Sequence, residues 1–111
     1  MIRFSKKMYV TEEIENKLTR VKWKLKTGAG LVNTYVITLS ESESDLFNIY
    51  SAWMFKQRVF RKCNHYVVGI AHNEKSAMEL VQRMVMECFE EDGTIPQGGV
   101  RQAVIKKWML N

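Results

Sequence analysis

The chain has little of what marks a secreted, membrane-spanning or multidomain protein. It has two cysteines, Cys63 and Cys88, and their spacing is no CxxC motif, so we expect reduced thiols rather than a disulfide framework. No apolar run approaches the ~20 residues that cross a bilayer, and the start, MIRFSKKMYV, has no apolar stretch of signal-peptide length. One proline and six glycines form no linker. These absences predict a single domain, residues 1–111, in the cytoplasm.

The chain also lacks the short motifs of the common enzyme classes. It contains no GxSxG, Walker loop, GxGxxG or HExxH sequence. Cys63, His65 and His72 supply residue types for a nucleophile and a base, but nothing in the sequence brings them together. Cys88 lies in the middle of a predicted helix, so no fourth metal ligand is evident. We therefore expect a binding or regulatory module rather than an enzyme, with no catalytic residue, metal or cofactor.

The first half of the chain predicts a helix, a strand and a second helix. Thr11 precedes three glutamates and an apolar stripe at helical spacing, which predicts a helix over about residues 12–26. A strand over residues 20–26 is the alternative, because RVKWKLK also alternates. The β-branched run LVNTYVITL predicts a buried strand at 31–39. Apolar positions then recur at helical spacing to Lys62, which predicts a helix over about 44–62.

The second half repeats the alternation of strand and helix. HYVVGIA predicts a buried strand at 66–71, and the stripe that follows Asn73 predicts a helix over 74–91. Residues 100–110 fit neither a helix nor a strand clearly. The order predicts an α/β fold, a small layered domain with a βαβα unit in which the strands at 31–39 and 66–71 run parallel.

Parallel strands predict where a ligand would bind. Ser40 and Ser42 follow the first strand, and His72 and Asn73 follow the second, so we expect these four residues to converge at the carboxyl ends of the strands. Hydroxyls and helix N-terminal N–H groups there are suited to an anion or a polar metabolite. The alternative is that Ser42 and Asn73 are ordinary helix caps and His72 a turn residue.

Charge predicts a different partner. The net charge is +5, and the bases concentrate in segments that interleave them with aromatic or apolar residues, as in RVKWKLK and FKQRVFRK. Such patterns can contact phosphates and stack on bases, although a solvated amphipathic surface looks similar. The candidate nucleic-acid-binding residues are Lys22, Trp23, Lys24, Lys26, Arg58, Arg61 and Lys62.

The predicted helix over 44–62 has more apolar surface than one core face needs. Phe47, Phe55 and Val59 project away from its main stripe, which predicts an interface. A second copy of the chain is the expected partner, making a homodimer. The further alternative is a structural subunit whose helix a different protein covers.

The segments YVITLS, LFNIYSAWMFKQ and YVVGIAHNEKSAMELVQRMV together resemble a small bacterial protein family of unknown function. The resemblance covers about residues 31–92 and rests on core-forming segments. It implies an apolar strand, a long helix, a VVGIA-type strand and a further helix, and it implies no activity, ligand or site residue.

Overall fold

A four-stranded sheet, with strand order β1-β4-β2-β3, runs through the part of the chain that the structure describes. The structure, a computed structural model, describes residues 2–40 and 47–87. The strands are β1 (Ile2–Val10), β2 (Tyr35–Leu39), β3 (Phe47–Ser51) and β4 (His65–Ala71). The helices are α1 (Glu12–Glu15), α2 (Leu18–Thr27), a 3₁₀-helix (Ala52–Lys56), α3 (Arg58–Lys62) and α4 (Glu74–Met86). The predicted α/β fold class is confirmed, as a mixed α/β domain.

Strand direction differs from the prediction. β4 pairs in parallel with β1, but β2 is antiparallel both to β3 and to β4, with Tyr35 opposite Ala71 and Thr38 opposite Val67. The prediction that residues 31–39 and 66–71 run parallel is therefore wrong. The reason is the extra strand β3: it reverses the chain beside β2, and the following crossover makes β4 parallel to β3 rather than to β2.

No long helix occupies residues 47–62. Phe47–Ser51 is a strand, followed by the 3₁₀-helix and the five-residue α3, so the helix predicted over 44–62 is wrong in this part. In β3, Phe47 and Ile49 pack on one face of the sheet and Tyr50 on the other, which is the two-residue period of a strand. Residues 44–46 lie outside the described residues.

The helix predicted over 12–26 forms, but it is divided. α1 ends at Glu15, and α2 begins at Leu18. The stripe of Ile14, Val21 and Leu25 is buried as predicted, at 1% exposure each, and residues 20–26 are helical, so the strand alternative there is wrong.

β1 is an edge strand that the sequence reading missed. It pairs with β4 from Ile2 to Phe4 and again from Tyr9 to Val10, with a register shift between the two stretches. Alternation at Ile2, Phe4, Met8 and Val10, which pack on one face, was the available signal.

Each face of the sheet is covered by its own helices. α4 packs on one face, where Ala77, Leu80 and Met84 meet Ile37 and Val68. On the other face, residues of α1, α2 and the 3₁₀-helix pack on residues of β2 and β4 in a second buried cluster, which contains Ile14, Val21, Leu25, Val36, Ala52, Phe55, Val67 and Ile70. The prediction of α4 is confirmed from Glu74 to Met86, and its continuation to residue 91 lies outside the described residues. None of the described helices is long and apolar enough to cross a membrane.

Candidate nucleic-acid interface

The four residues of the predicted anion cleft are not brought together. Ser40 follows β2 and is buried, whereas His72 and Asn73 follow β4. Because β2 and β4 are antiparallel, Ser40 and His72 lie at opposite ends of the sheet. Ser42 lies outside the described residues. The convergence on which the cleft depended is therefore absent between Ser40 and His72.

His72 instead lies where two parallel strands end. β1 and β4 finish side by side, and the backbone N–H of Thr11 donates to the carbonyl of Ile70 at 3.2 Å. The Nδ1 atom of His72 is 3.0 Å from Oε2 of Glu13. The two groups form an ion pair when the ring is protonated, but their geometry is not that of a hydrogen bond. A carboxylate thus already occupies the position next to the imidazole, which suits a local structural contact better than an anion site.

Asn73 is a helix cap. Its Oδ1 accepts a 2.7 Å hydrogen bond from the backbone N–H of Ser76, in the first turn of α4. This satisfies one of the N–H groups that a helix leaves without an internal partner. The alternative reading of Asn73 as a cap is confirmed.

Four of the predicted nucleic-acid-binding residues converge. Lys26, at the end of α2, meets Arg58, Arg61 and Lys62 of α3 around an open hollow of about 670 Å³ that Ile2 of β1 also lines. We call this feature the basic hollow. Among the described residues no Asp or Glu lines it, so four positive charges border one concave surface.

Two lysines of α2 lie over the ring of Phe4, a residue of β1. Lys22 and Lys26 are one helical turn apart, and their Nζ atoms lie 5.3 Å and 5.4 Å from the centre of the Phe4 ring. A cation over an aromatic face is attracted by the ring quadrupole. Lys22 therefore shares the side of α2 from which Lys26 enters the basic hollow.

Arg61 is held in place by the backbone. Its Nη1 donates to the carbonyls of Phe55 and Lys56, both at 2.8 Å, and so fixes the end of the 3₁₀-helix to α3. The guanidinium lies against Gly28, where an added Cβ would be 2.0 Å from Nη1. Gly28 also ends α2 at φ +74°, a left-handed conformation. Arg61 is thus a structural residue of the basic hollow as well as one of its charges.

Trp53 is the residue that the sequence reading misplaced. The helix predicted over 44–62 would place Trp53 among the apolar positions at helical spacing, but the side chain is 54% exposed on the 3₁₀-helix. The Nζ of Lys56 lies 4.5 Å from the centre of its ring. The spacing of buried Ala52 and Phe55 in a 3₁₀-helix leaves Trp53 and Met54 outside. Two bases that closely follow a tryptophan, in AWMFKQR, were the available signal.

The two other candidates on α2 lie elsewhere. Trp23 is 61% exposed and lines a second hollow near the start of α2, together with Glu15, Lys17 and Arg20. Lys24 is about 200° around the helix from Lys22 and from Lys26, on the far side of α2 from the Phe4 ring.

The three candidate interface residues differ in exposure. Phe55 is 1% exposed and belongs to the core, so it is not available to a partner. Phe47 is partly buried and packs on the α4 cluster, while Val59 is 80% exposed on α3. The predicted interface therefore loses Phe55, because the 3₁₀-helix turns this ring inward.

The cysteine and histidine near α3 also have structural surroundings. His65 is 7% exposed, its Nε2 lies 2.6 Å from the carbonyl of Phe60, and it packs among the rings of Tyr50, Phe55 and Phe60. Cys63 is an exposed thiol, and its Sγ lies 3.5 Å from the carbonyl of Val59. Within residues 2–40 and 47–87, no three His, Cys, Asp or Glu side chains cluster closely enough to hold a metal ion.

Comparison of the chain with known protein families, with curated proteins and with solved structures gives no match at a significant level.

Proposed function

We propose that the chain is a nucleic-acid-binding module and that the basic hollow is its phosphate-binding surface. The observation that carries the proposal is the convergence of Lys26, Arg58, Arg61 and Lys62 on one hollow whose described lining contains no acid. Clustered Lys and Arg side chains neutralise phosphates and release the counterions that surround a nucleic acid. The net charge of +5 adds long-range attraction.

The polar-metabolite cleft is the weaker candidate. It required Ser40 and His72 to meet, and the antiparallel pairing of β2 with β4 separates them. The homodimer and the larger-complex subunit stay predictions, with partly buried Phe47 and exposed Val59 as the remaining candidate residues of that surface. The exposed thiol of Cys63 is compatible with the reducing cytoplasm in which we propose that the protein works.

The proposal is tested by the salt dependence of binding. Fluorescence anisotropy of a labelled 20-nucleotide single strand, and of the same length of duplex, is measured over a series of salt concentrations. If all four cations contact phosphates, the affinity falls with a log–log slope of about 2.8 for the single strand or about 3.6 for the duplex. Binding to heparin and to anionic vesicles is measured in parallel.

A matched pair of double variants locates the surface. Lys26→Gln with Arg58→Gln removes one lysine and one arginine from the basic hollow, while Lys75→Gln with Arg83→Gln removes the same charges from α4 on the opposite face. The hollow variant is expected to lower the single-strand slope by about 1.4, and the α4 variant to leave it unchanged. Equal losses in both variants, stronger binding to vesicles than to nucleic acid, or no binding at low salt would each overturn the proposal.

A further inference from the structure

An exposed aromatic residue stands beside the basic hollow. Arg61, which lines the hollow, donates to the carbonyl of Lys56, and the Nζ of Lys56 lies 4.5 Å from the ring centre of Trp53. The turn after α2 lies along both side chains. A Cβ on Gly28 would contact Arg61, and a Cβ on Gly30 would lie 3.4 Å from Cζ3 of Trp53. Lys56 thus links the two features, because its carbonyl accepts from Arg61 of the hollow and its ammonium lies over the indole.

Trp53 is one of several exposed apolar side chains in the 3₁₀-helix and α3. Trp53, Met54 and Val59 are 54%, 36% and 80% exposed, and they lie within seven consecutive residues. Bases lie among these residues in the chain: Lys56 is over the Trp53 ring, and Arg58 and Arg61 line the hollow. A partner that suits both features is negatively charged and also has flat apolar surface.

We infer that the nucleic acid bound at the basic hollow is single-stranded and that Trp53 stacks on one of its bases. This inference rests on the proposed function. A duplex offers its phosphates but keeps its bases paired and stacked inside, whereas a single strand offers phosphate and an unstacked base together. With half of Trp53 exposed, ring surface is left for a base although Lys56 covers part of the indole.

Trp23 supplies the matched control. It is exposed to a similar extent, 61%, but the hollow that it lines has one acid, Glu15, against two bases, Lys17 and Arg20, whereas the described lining of the basic hollow has four bases and no acid. Both residues are tryptophans on exposed helical surfaces, and they differ in proximity to the basic hollow. Stacking is therefore expected at Trp53 and not at Trp23.

The test compares Trp53→Ala, Trp53→Phe and Trp23→Ala in the full chain. Each variant is titrated with a mixed-sequence single strand and with a hairpin duplex at one low salt concentration, by anisotropy, and the quenching of tryptophan fluorescence is recorded. Loss of one stacked base is expected to weaken single-strand binding about 5- to 150-fold in Trp53→Ala. Trp53→Phe should retain part of the affinity, and duplex binding should stay within about twofold.

The outcomes separate this inference from the proposed function. If Trp53→Ala weakens single-strand and duplex binding alike, or weakens neither, while Lys26→Gln with Arg58→Gln still weakens both, the stacking inference is overturned and the proposed function stands. If Trp23→Ala weakens single-strand binding as much as Trp53→Ala, the assignment to Trp53 is overturned. If the wild-type chain binds neither nucleic acid, both proposals fall.

Discussion

Replacing Gly28 by alanine is expected to destabilise the fold in two separate ways. Gly28 ends α2 at φ +74°, where an L-residue with a Cβ is strained by about 1–2 kcal/mol. The new methyl group would also lie 2.0 Å from Nη1 of Arg61 and displace the guanidinium. The two hydrogen bonds from Nη1 to the carbonyls of Phe55 and Lys56 would then be lost.

The second effect is of similar size to the first. The Lys56 carbonyl is exposed and can accept a hydrogen bond from water instead, so losing the hydrogen bond from Arg61 costs little there. The Phe55 carbonyl is partly buried, and losing its charged donor costs about 1–2 kcal/mol. Gly28→Ala should therefore lower the free energy of unfolding by about 2–4 kcal/mol in total.

A double-mutant cycle in urea measures the two effects separately. Once Arg61→Ala has removed the guanidinium, Gly28→Ala should cost the backbone strain alone. The sum of the two single changes is then expected to exceed the double change by about 1–2 kcal/mol. Gly28→Asn is the conformational control, because asparagine tolerates the left-handed region but carries the same Cβ. Additivity within about 0.5 kcal/mol, or a Gly28→Ala cost below about 1 kcal/mol, would refute the contact with Arg61.

Three further predictions test the fold, and urea unfolding of the variants measures each change in stability. Phe55→Ala should cost about 3–5 kcal/mol and its neighbour Trp53→Ala at most about 1 kcal/mol, because one ring is in the core and the other is exposed; equal costs would contradict the 3₁₀-helix. Asn73→Ala should cost about 1 kcal/mol through the lost cap, and Asn73→Asp should restore most of it; no difference between them would exclude the cap. Gly69→Ala should cost about 1–3 kcal/mol, since its Cβ would lie 2.9 Å from the carbonyl oxygen of Tyr9; unchanged hydrogen-exchange protection in β1 would contradict this packing.

The elements predicted well from sequence are those whose residue pattern fits only one type of secondary structure. α4 combines a cap at Asn73 with a long stripe at helical spacing, and β4 is a continuous apolar run with a β-branched core. In both elements, the secondary structure that the local sequence favours also buries the apolar residues. Their identity and approximate bounds could therefore be read without tertiary information.

Residues 47–62 were predicted wrongly because their apolar positions fit two periods at once. Ile49, Tyr50 and Trp53 match helical spacing, while Phe47 and Ile49 alternate with polar or opposite-face residues as in a strand. Pairing of β3 with β2 decides between the periods, and such pairing is a tertiary interaction. The candidate cleft failed for the same reason, since its geometry depended on the direction of β2 relative to β4.

Charge indicates that a side chain is exposed but does not specify the face on which it lies, so the positions of the charged candidates could be predicted only in part. Lys26, Arg58, Arg61 and Lys62 were identified from the charge pattern, and the packing of α2 and of α3 against the 3₁₀-helix brings them together. Lys24 was included with them, although helical geometry turns it away from Lys26. Trp53 was omitted because a long helix would have buried it.

The structure separates the residues that form the basic hollow from those that can test it. Arg61 holds two backbone carbonyls, so its replacement changes stability together with charge. Arg58 and Trp53 are exposed on α3 and the 3₁₀-helix, and exposed side chains away from caps and cores usually change stability by less than about 0.5 kcal/mol. Loss of binding in variants of Arg58 or Trp53 that unfold at the wild-type urea concentration can therefore be assigned to the interface itself, whereas loss in an Arg61 variant cannot.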